Sequence, residues 1–200
     1  MPSTSSRRIS VATAALVTAA ILTACSTGSD DSMPSMDAGG TSMSSDMATG
    51  SVQEDDVMFA QMMIPHHEQA VEMADMALDK ATSSAEVRQL AVDIKAAQDP
   101  EIETMRGWLE AWGAPQEAPS AMEHDSGMMA DTDMSALAEA EGTEFDQMWL
   151  TMMIEHHEGA ITMARDVQST TEDEEVAALA EDIIAAQEAE IATMQTLLEP

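Results

Sequence analysis

The chain has 200 residues, with 38 acidic against 7 basic side chains and a formal net charge of −31. So acidic a surface repels nucleic acid and anionic membrane and attracts cations, and no glycine-rich strand-to-helix loop is present to cradle phosphate. A single cysteine excludes an intrachain disulfide framework.

In chain order, Met1 to Ala24 has the make-up of an export signal. Arg7 and Arg8 form its basic region, and Ile9 to Leu22 its apolar core, too short for a mature transmembrane helix. Leu22-Thr23-Ala24-Cys25 resembles the lipobox of bacterial lipoproteins, which implies cleavage before Cys25 and lipidation there; the alternative is a plain secretory signal. Residues 25–54 follow as a Ser/Gly/Asp tract without periodicity, predicted to be a disordered tether carrying Met33, Met36, Met43 and Met47.

Helical periodicity begins at Asp55. The first helix carries Phe59, Met62, Met63, His66, His67, Ala70, Met73 and Ala74 on its apolar side, with Pro65 expected to kink it. A second helix opens at Ser83-Ser84-Ala85-Glu86, a capping-box pattern, and stops near Gly113-Ala114-Pro115. Gln98 and Glu101 interrupt its apolar seam. Residues 113–134 read as a Pro/Gly/Asp crossover. A third helix, beginning between Ser135 and Phe145, carries Trp149, Met152, Met153, His156, His157, Ala160 and Met163. The fourth opens at Thr171-Glu172-Asp173-Glu174 and runs to about Leu198, with Gln187 and Glu190 on its seam.

Met62-Met63-Ile64-Pro65-His66-His67-Glu68 recurs as Met152-Met153-Ile154-Glu155-His156-His157-Glu158, and four of the chain's 5 histidines lie in the two copies. Val87, Leu90, Ile94, Gln98, Glu101 and Met105 recur as Val176, Leu179, Ile183, Gln187, Glu190 and Met194. The chain is therefore a duplicated helical hairpin. Its fold class is all-α: a four-helix bundle over 55–198, from hairpins 55–112 and 135–198. Alanines 70, 74, 160 and 164 suit close approach of the two histidine-bearing helices.

Imidazole on an apolar helix face is costly unless something satisfies it. Residues three or four apart on a helix are neighbours, so each copy sets thioether sulfur beside imidazole nitrogen, a donor set that favours Cu(I). His66, His67, His156 and His157 with Met63 and Met153 are the candidate ligands; Met62, Met152, Met73 and Met163 rank second. Gln98, Glu101, Gln187 and Glu190 would orient the imidazoles, while Asp56 and Asp146 read as helix caps. Di-iron bundles need Glu-x-x-His, but Met63, Ile64, Met153 and Ile154 stand three residues before these histidines. A haem lacks its Cys-x-x-Cys-His attachment motif and would find few aromatics. No nucleophile–base–orienter set is evident.

Asp56-x-x-Phe59-x-x-x-Met63-x-x-His66-His67-x-x-Ala70-x-x-Met73-Ala74, with Gln98-x-x-Glu101-Ile102-x-x-Met105 downstream, resembles the DUF305 family. Asp146, Trp149, Met153, His156, His157, Ala160, Met163 and Ala164 match in the second half. The resemblance implies a ferritin-like fold, export from the cell and, in some members, copper binding. The expected function is an extracytoplasmic copper-binding lipoprotein that buffers or delivers the ion, touching membrane only through its lipid. The alternatives are a metal-free structural or partner-binding module, whose histidines hydrogen-bond to those glutamines and glutamates, and a ferritin-like metal-dependent oxidoreductase.

Overall fold

The computed structural model describes residues 54–117 and 127–199. The leader, Cys25, nearly all of the tether with its methionines, and part of the crossover, including Met122 and His124, lie outside the described residues. Five helices form: α1 Glu54–Asp79, α2 Ala85–Trp112, α3 Asp131–Glu139, α4 Gly142–Gln168 and α5 Glu174–Leu198. No strand occurs among the described residues.

Local chemistry sets the helix ends. Ser84 caps α2, its hydroxyl accepting from the Val87 N–H. At the other end Gly113 takes the left-handed φ of 68°, and the Ala114 N–H reaches back to Leu109 O at 2.9 Å. The start of α5 falls later than Thr171. The Thr171 hydroxyl instead accepts from the Asp173 N–H, and Asp173 becomes the cap, accepting from Glu175 and Val176. Asp146 does not cap its own helix. It lies inside α4 and accepts from the Ser83 hydroxyl at 2.8 Å and the Ser84 N–H at 3.0 Å, so it ties α4 to the start of α2. Asp56 lies inside α1, buried, with Oδ1 finding no partner among the described residues. α1 runs unbroken through Pro65.

Helices α1 with α2 and α4 with α5 form the two hairpins, and the hairpins join mainly along α1 and α4. Ala70, Ala74, Ala160 and Ala164 are fully buried, as expected of small side chains that let two helices approach. The apolar core falls into two clusters. One gathers Phe59, Met63, Met105 and Leu109 with Ala164 and Ile183. The other gathers Met73, Ala77 and Ile94 with Phe145, Trp149 and Met153. The Trp149 indole N–H donates to Met73 O at 2.8 Å, a buried bond across the α1–α4 seam that the equivalent Phe59 cannot make.

The crossover holds more structure than its composition suggested. A separate helix, α3, occupies its end, and the chain turns through Ala140 and Glu141 into Gly142, where φ is 59°. Met134 and Leu137 of α3 join the Phe145 and Trp149 cluster. The Lys80 ammonium donates to the carbonyls of Ala138 and Ala140 at 2.6 and 2.7 Å, satisfying the last turn of α3. Upstream, the Gln69 amide brackets Met129, donating to its carbonyl at 2.9 Å and accepting from its N–H at 2.7 Å. Gly127 presses on α4, so that a Cβ there would lie 2.9 Å from Gly159 Cα and 3.1 Å from Glu155 O. Residues 127–129 thus form a strap from α4 to α1 beside the histidines.

Gly127 has φ of 78° and backbone rather than flexible side chain in its way. Gly127→Ala should therefore cost roughly 1–3 kcal/mol, read as a lower thermal midpoint by circular dichroism. An unchanged midpoint would mean that the strap contributes nothing to stability.

Candidate metal centre

The two core clusters are separated by a polar layer. α1 supplies His66 and His67, and α4 supplies His156 and His157, all four with exposures of 0–1 %. α2 and α5 supply Gln98 and Gln187, also buried, and the half-buried Glu101 and Glu190.

Each half of the layer repeats one arrangement. The His67 Nε2 lies 2.7 Å from a Glu101 carboxylate oxygen, and the His157 Nε2 lies 2.7 Å from a Glu190 carboxylate oxygen. With Nε2–H donating to the carboxylate, the lone pair of each ring is left on Nδ1. Both Nδ1 atoms are shut off from solvent and find no hydrogen-bond partner among the described residues. Between these outer rings His66 and His156 lie against each other, centroids 3.7 Å apart and planes inclined by 38°. The rings within each His-His pair are 6.5 and 6.4 Å apart, because consecutive residues on a helix point about 100° apart.

Burial above all, then the neighbouring rings of His66, His157 and His67, push the His156 pKa well below the ordinary imidazole value of 6.5. His156 is therefore neutral at neutral pH, the form in which imidazole binds metal.

Of the other predicted residues, Met63, Met153 and Met73 are fully buried and Met152 is 8 % exposed. Met63 and Met153 each lie one turn from the histidines of their own helix. Met62 and Met163 are only half-buried, so the two copies differ here. Glu101 and Glu190 do orient imidazoles. Both amide atoms of Gln98 and the Gln187 carbonyl oxygen are buried without a hydrogen-bond partner among the described residues, so Gln98 does not orient an imidazole as expected. Sequence reasoning missed Gln69, whose grip on Met129 positions the strap; its place two residues after His67 was the only clue.

An unmatched buried polar group costs about 1–3 kcal/mol, against a net stability of order 5–15 kcal/mol for a domain. Two imidazole nitrogens and three amide atoms in one layer make a large deficit; a cation taking the lone pairs of the imidazole nitrogens and carbonyl oxygens would reduce it, while the Gln98 amide N–H needs an acceptor instead. Among the described residues no three His, Cys, Asp or Glu side chains gather into a metal cluster by themselves. Met63 and Met153 are the buried thioethers one helical turn from these rings.

The DUF305 model, described as a domain of unknown function, matches residues 56–198. The chain belongs to the DUF305 family. Among solved structures it resembles a Streptomyces coelicolor DUF305 protein described as secreted, at 35% identity over 72% of this chain and 90% of that one, with a TM-score of 0.67. A DUF305 fragment from Deinococcus radiodurans matches at 32% identity, 73% and 96% coverage and a TM-score of 0.67. CopM in its Cu(I)-bound form matches at 38% identity, 72% and 96% coverage and a TM-score of 0.62. CopM has also been solved with Cu(II), with silver and in the apo form. No curated protein matches the sequence.

The depressed His156 pKa gives the metal-free DUF305 domain a definite pH response. Below about 6.5 the unfolded chain takes up a proton that the native state refuses, so stability should climb with pH up to that value and then level off, by ~1.4 kcal/mol per pH unit for one proton. Denaturant midpoints between about pH 5 and 7 check this. His156→Gln should flatten that slope; an equally steep variant would exclude His156 as its source.

Proposed function

We propose that this protein binds copper outside the cytoplasm, taking the ion into the α1–α4 seam and buffering or delivering it at the cell surface. The observation that carries the reading is the twofold imidazole–carboxylate arrangement. Glu101 and Glu190 turn His67 and His157 so that their Nδ1 lone pairs are buried, one helical turn from Met63 and Met153. Nitrogen with thioether sulfur is a soft donor set, favouring Cu(I) over harder ions. His66 and His156, neighbours across the seam, complete the ligand set, with Met62, Met152, Met73 and Met163 as further sulfur donors. The likeness to CopM, crystallised with Cu(I), Cu(II) and silver, supports the same reading.

The described secreted state of the Streptomyces coelicolor relative supports an extracytoplasmic location. The lipid anchor is read from the lipobox-like Leu22-Thr23-Ala24-Cys25 after the export signal. No described helix is long and apolar enough to cross a membrane. We read the site as one for binding rather than catalysis, because copper is cargo here and the sequence offers no nucleophile beside a base.

Competition with a chromophoric chelator under anaerobic, reducing conditions tests the reading. Cu(I) should bind more tightly than Zn(II), since sulfur prefers the softer ion. His66→Ala with His156→Ala should weaken Cu(I) binding by much more than removal of Ser26–Gly50, because packed ligands lose little ordering entropy whereas a flexible tether must be immobilised. Circular dichroism confirms folding of each variant. Zinc affinity equal to that for Cu(I) would remove the methionines from the site, and a larger loss from the tether deletion would make the bundle a platform only.

A further inference from the structure

A cleft of about 270 Å³ opens on the surface between α1 and α4. Met58, Met62 and Met163 line it with Phe59 and Val167, and Asp55 and Asp166 stand exposed at its edge. The duplication supplies an internal control. The equivalents of Met58, Met62 and Met163 in the other half are Met148, Met152 and Met73. Met134 and Leu137 of α3 share the core cluster of Met152 and Met73, which fall to 8 % and 0 % exposure while Met62 and Met163 stay half-buried; Met58 and Met148 are half-buried alike. The rim differs in the same sense. Asp55 and Asp166 are replaced by Phe145 and Met76, apolar residues of the plugged cluster. Lys80, standing in the place of Thr170, holds the carbonyls of α3.

From this asymmetry we infer that the open cleft is a second, solvent-facing site for a soft monovalent cation, held by the thioethers of Met58, Met62 and Met163. It gives the ion a place of entry on the α1–α4 surface, one helical turn from the buried histidines. The inference rests on the copper reading and adds a direction of loading to it. Three flexible thioethers in one cleft can converge on an ion without moving backbone. Two carboxylates at the rim raise the local cation concentration. Met62 joins the two sites, since it lies in the cleft and precedes His66 by one turn of α1.

The test is an Ag(I) titration of the full chain carrying 13C-labelled methionine methyls, followed by NMR of those methyls and of the histidine rings. Met58→Leu with Met62→Leu and Met163→Leu keeps volume and removes sulfur. Met76→Leu with Met148→Leu makes the same kind of change on the plugged side. In the wild type the methyls of Met58, Met62 and Met163 should shift at the lowest Ag(I). The triple variant should load the histidines more slowly and hold fewer equivalents, because the cleft has lost its sulfur donors, and the plugged-side variant should load at the wild-type rate. Equal rate and stoichiometry in the triple variant would overturn the cleft site while leaving copper binding intact. Cleft methyls that shift while the histidine rings never do would keep the cleft and overturn the buried site. No shift at either would overturn both.

Discussion

Everything in this molecule is arranged around two hydrogen bonds, His67 to Glu101 and His157 to Glu190. Each joins the two helices of one hairpin, so each hairpin carries its own imidazole already turned and its tautomer already chosen. Packing α1 on α4 then brings the two prepared halves together with no further choice of orientation. A carboxylate behind an imidazole raises the basicity of the opposite nitrogen as well as fixing the ring. Glu101 and Glu190 remain half-buried, so the charged acceptors stay near water while the lone pairs they create stay dry. That division limits the desolvation cost of a polar layer in an otherwise apolar core.

The layer also explains the two-part core. With the helices antiparallel across the seam, Phe59 and Met63 share a cluster with Ala164, and Ala74 and Ala77 share one with Phe145 and Trp149. The buried alanines are the geometric condition for this arrangement. Larger side chains at 70, 74, 160 or 164 would push α1 from α4, and the 3.7 Å contact of the His66 and His156 rings could not survive such a shift.

What was legible in the sequence was whatever repeats. The four bundle helices, the burial of both His-His pairs and the pairing of Glu101 and Glu190 with the histidines follow from duplicated spacing, because a residue retained in both copies at helical register occupies the same place in each hairpin. What escaped is what differs between the copies. α3 straddles the expected boundary between crossover 113–134 and hairpin 135–198: Asp131 to Glu139 is short and follows a Pro/Gly/Asp run, so nothing local separates it from α4, although Met134 and Leu137 have helical spacing. Asp146 was read as a cap because helix termini attract Asp; that the terminus in question belonged to α2 is a tertiary fact that no local pattern carries. The histidine role expected of Gln98 is absent for a similar reason: its seam position buries it, but position does not say where an amide points.

The departures from symmetry are therefore more than noise on a duplicated fold. A perfectly twofold bundle would present two equivalent clefts to its histidine layer. Phe145 and Met76 in place of Asp55 and Asp166 remove carboxylate charge from one of them, and Lys80 supplies the donor that α3 needs at its last turn. Met134 and Leu137 share their cluster with Met73 and Met152, which are buried on that side. On the other side the same methionine positions keep their access to water beneath an acidic rim. The two similar hairpins thus differ in surface: the copy beside α3 is covered, and the other keeps an acidic, methionine-lined cleft.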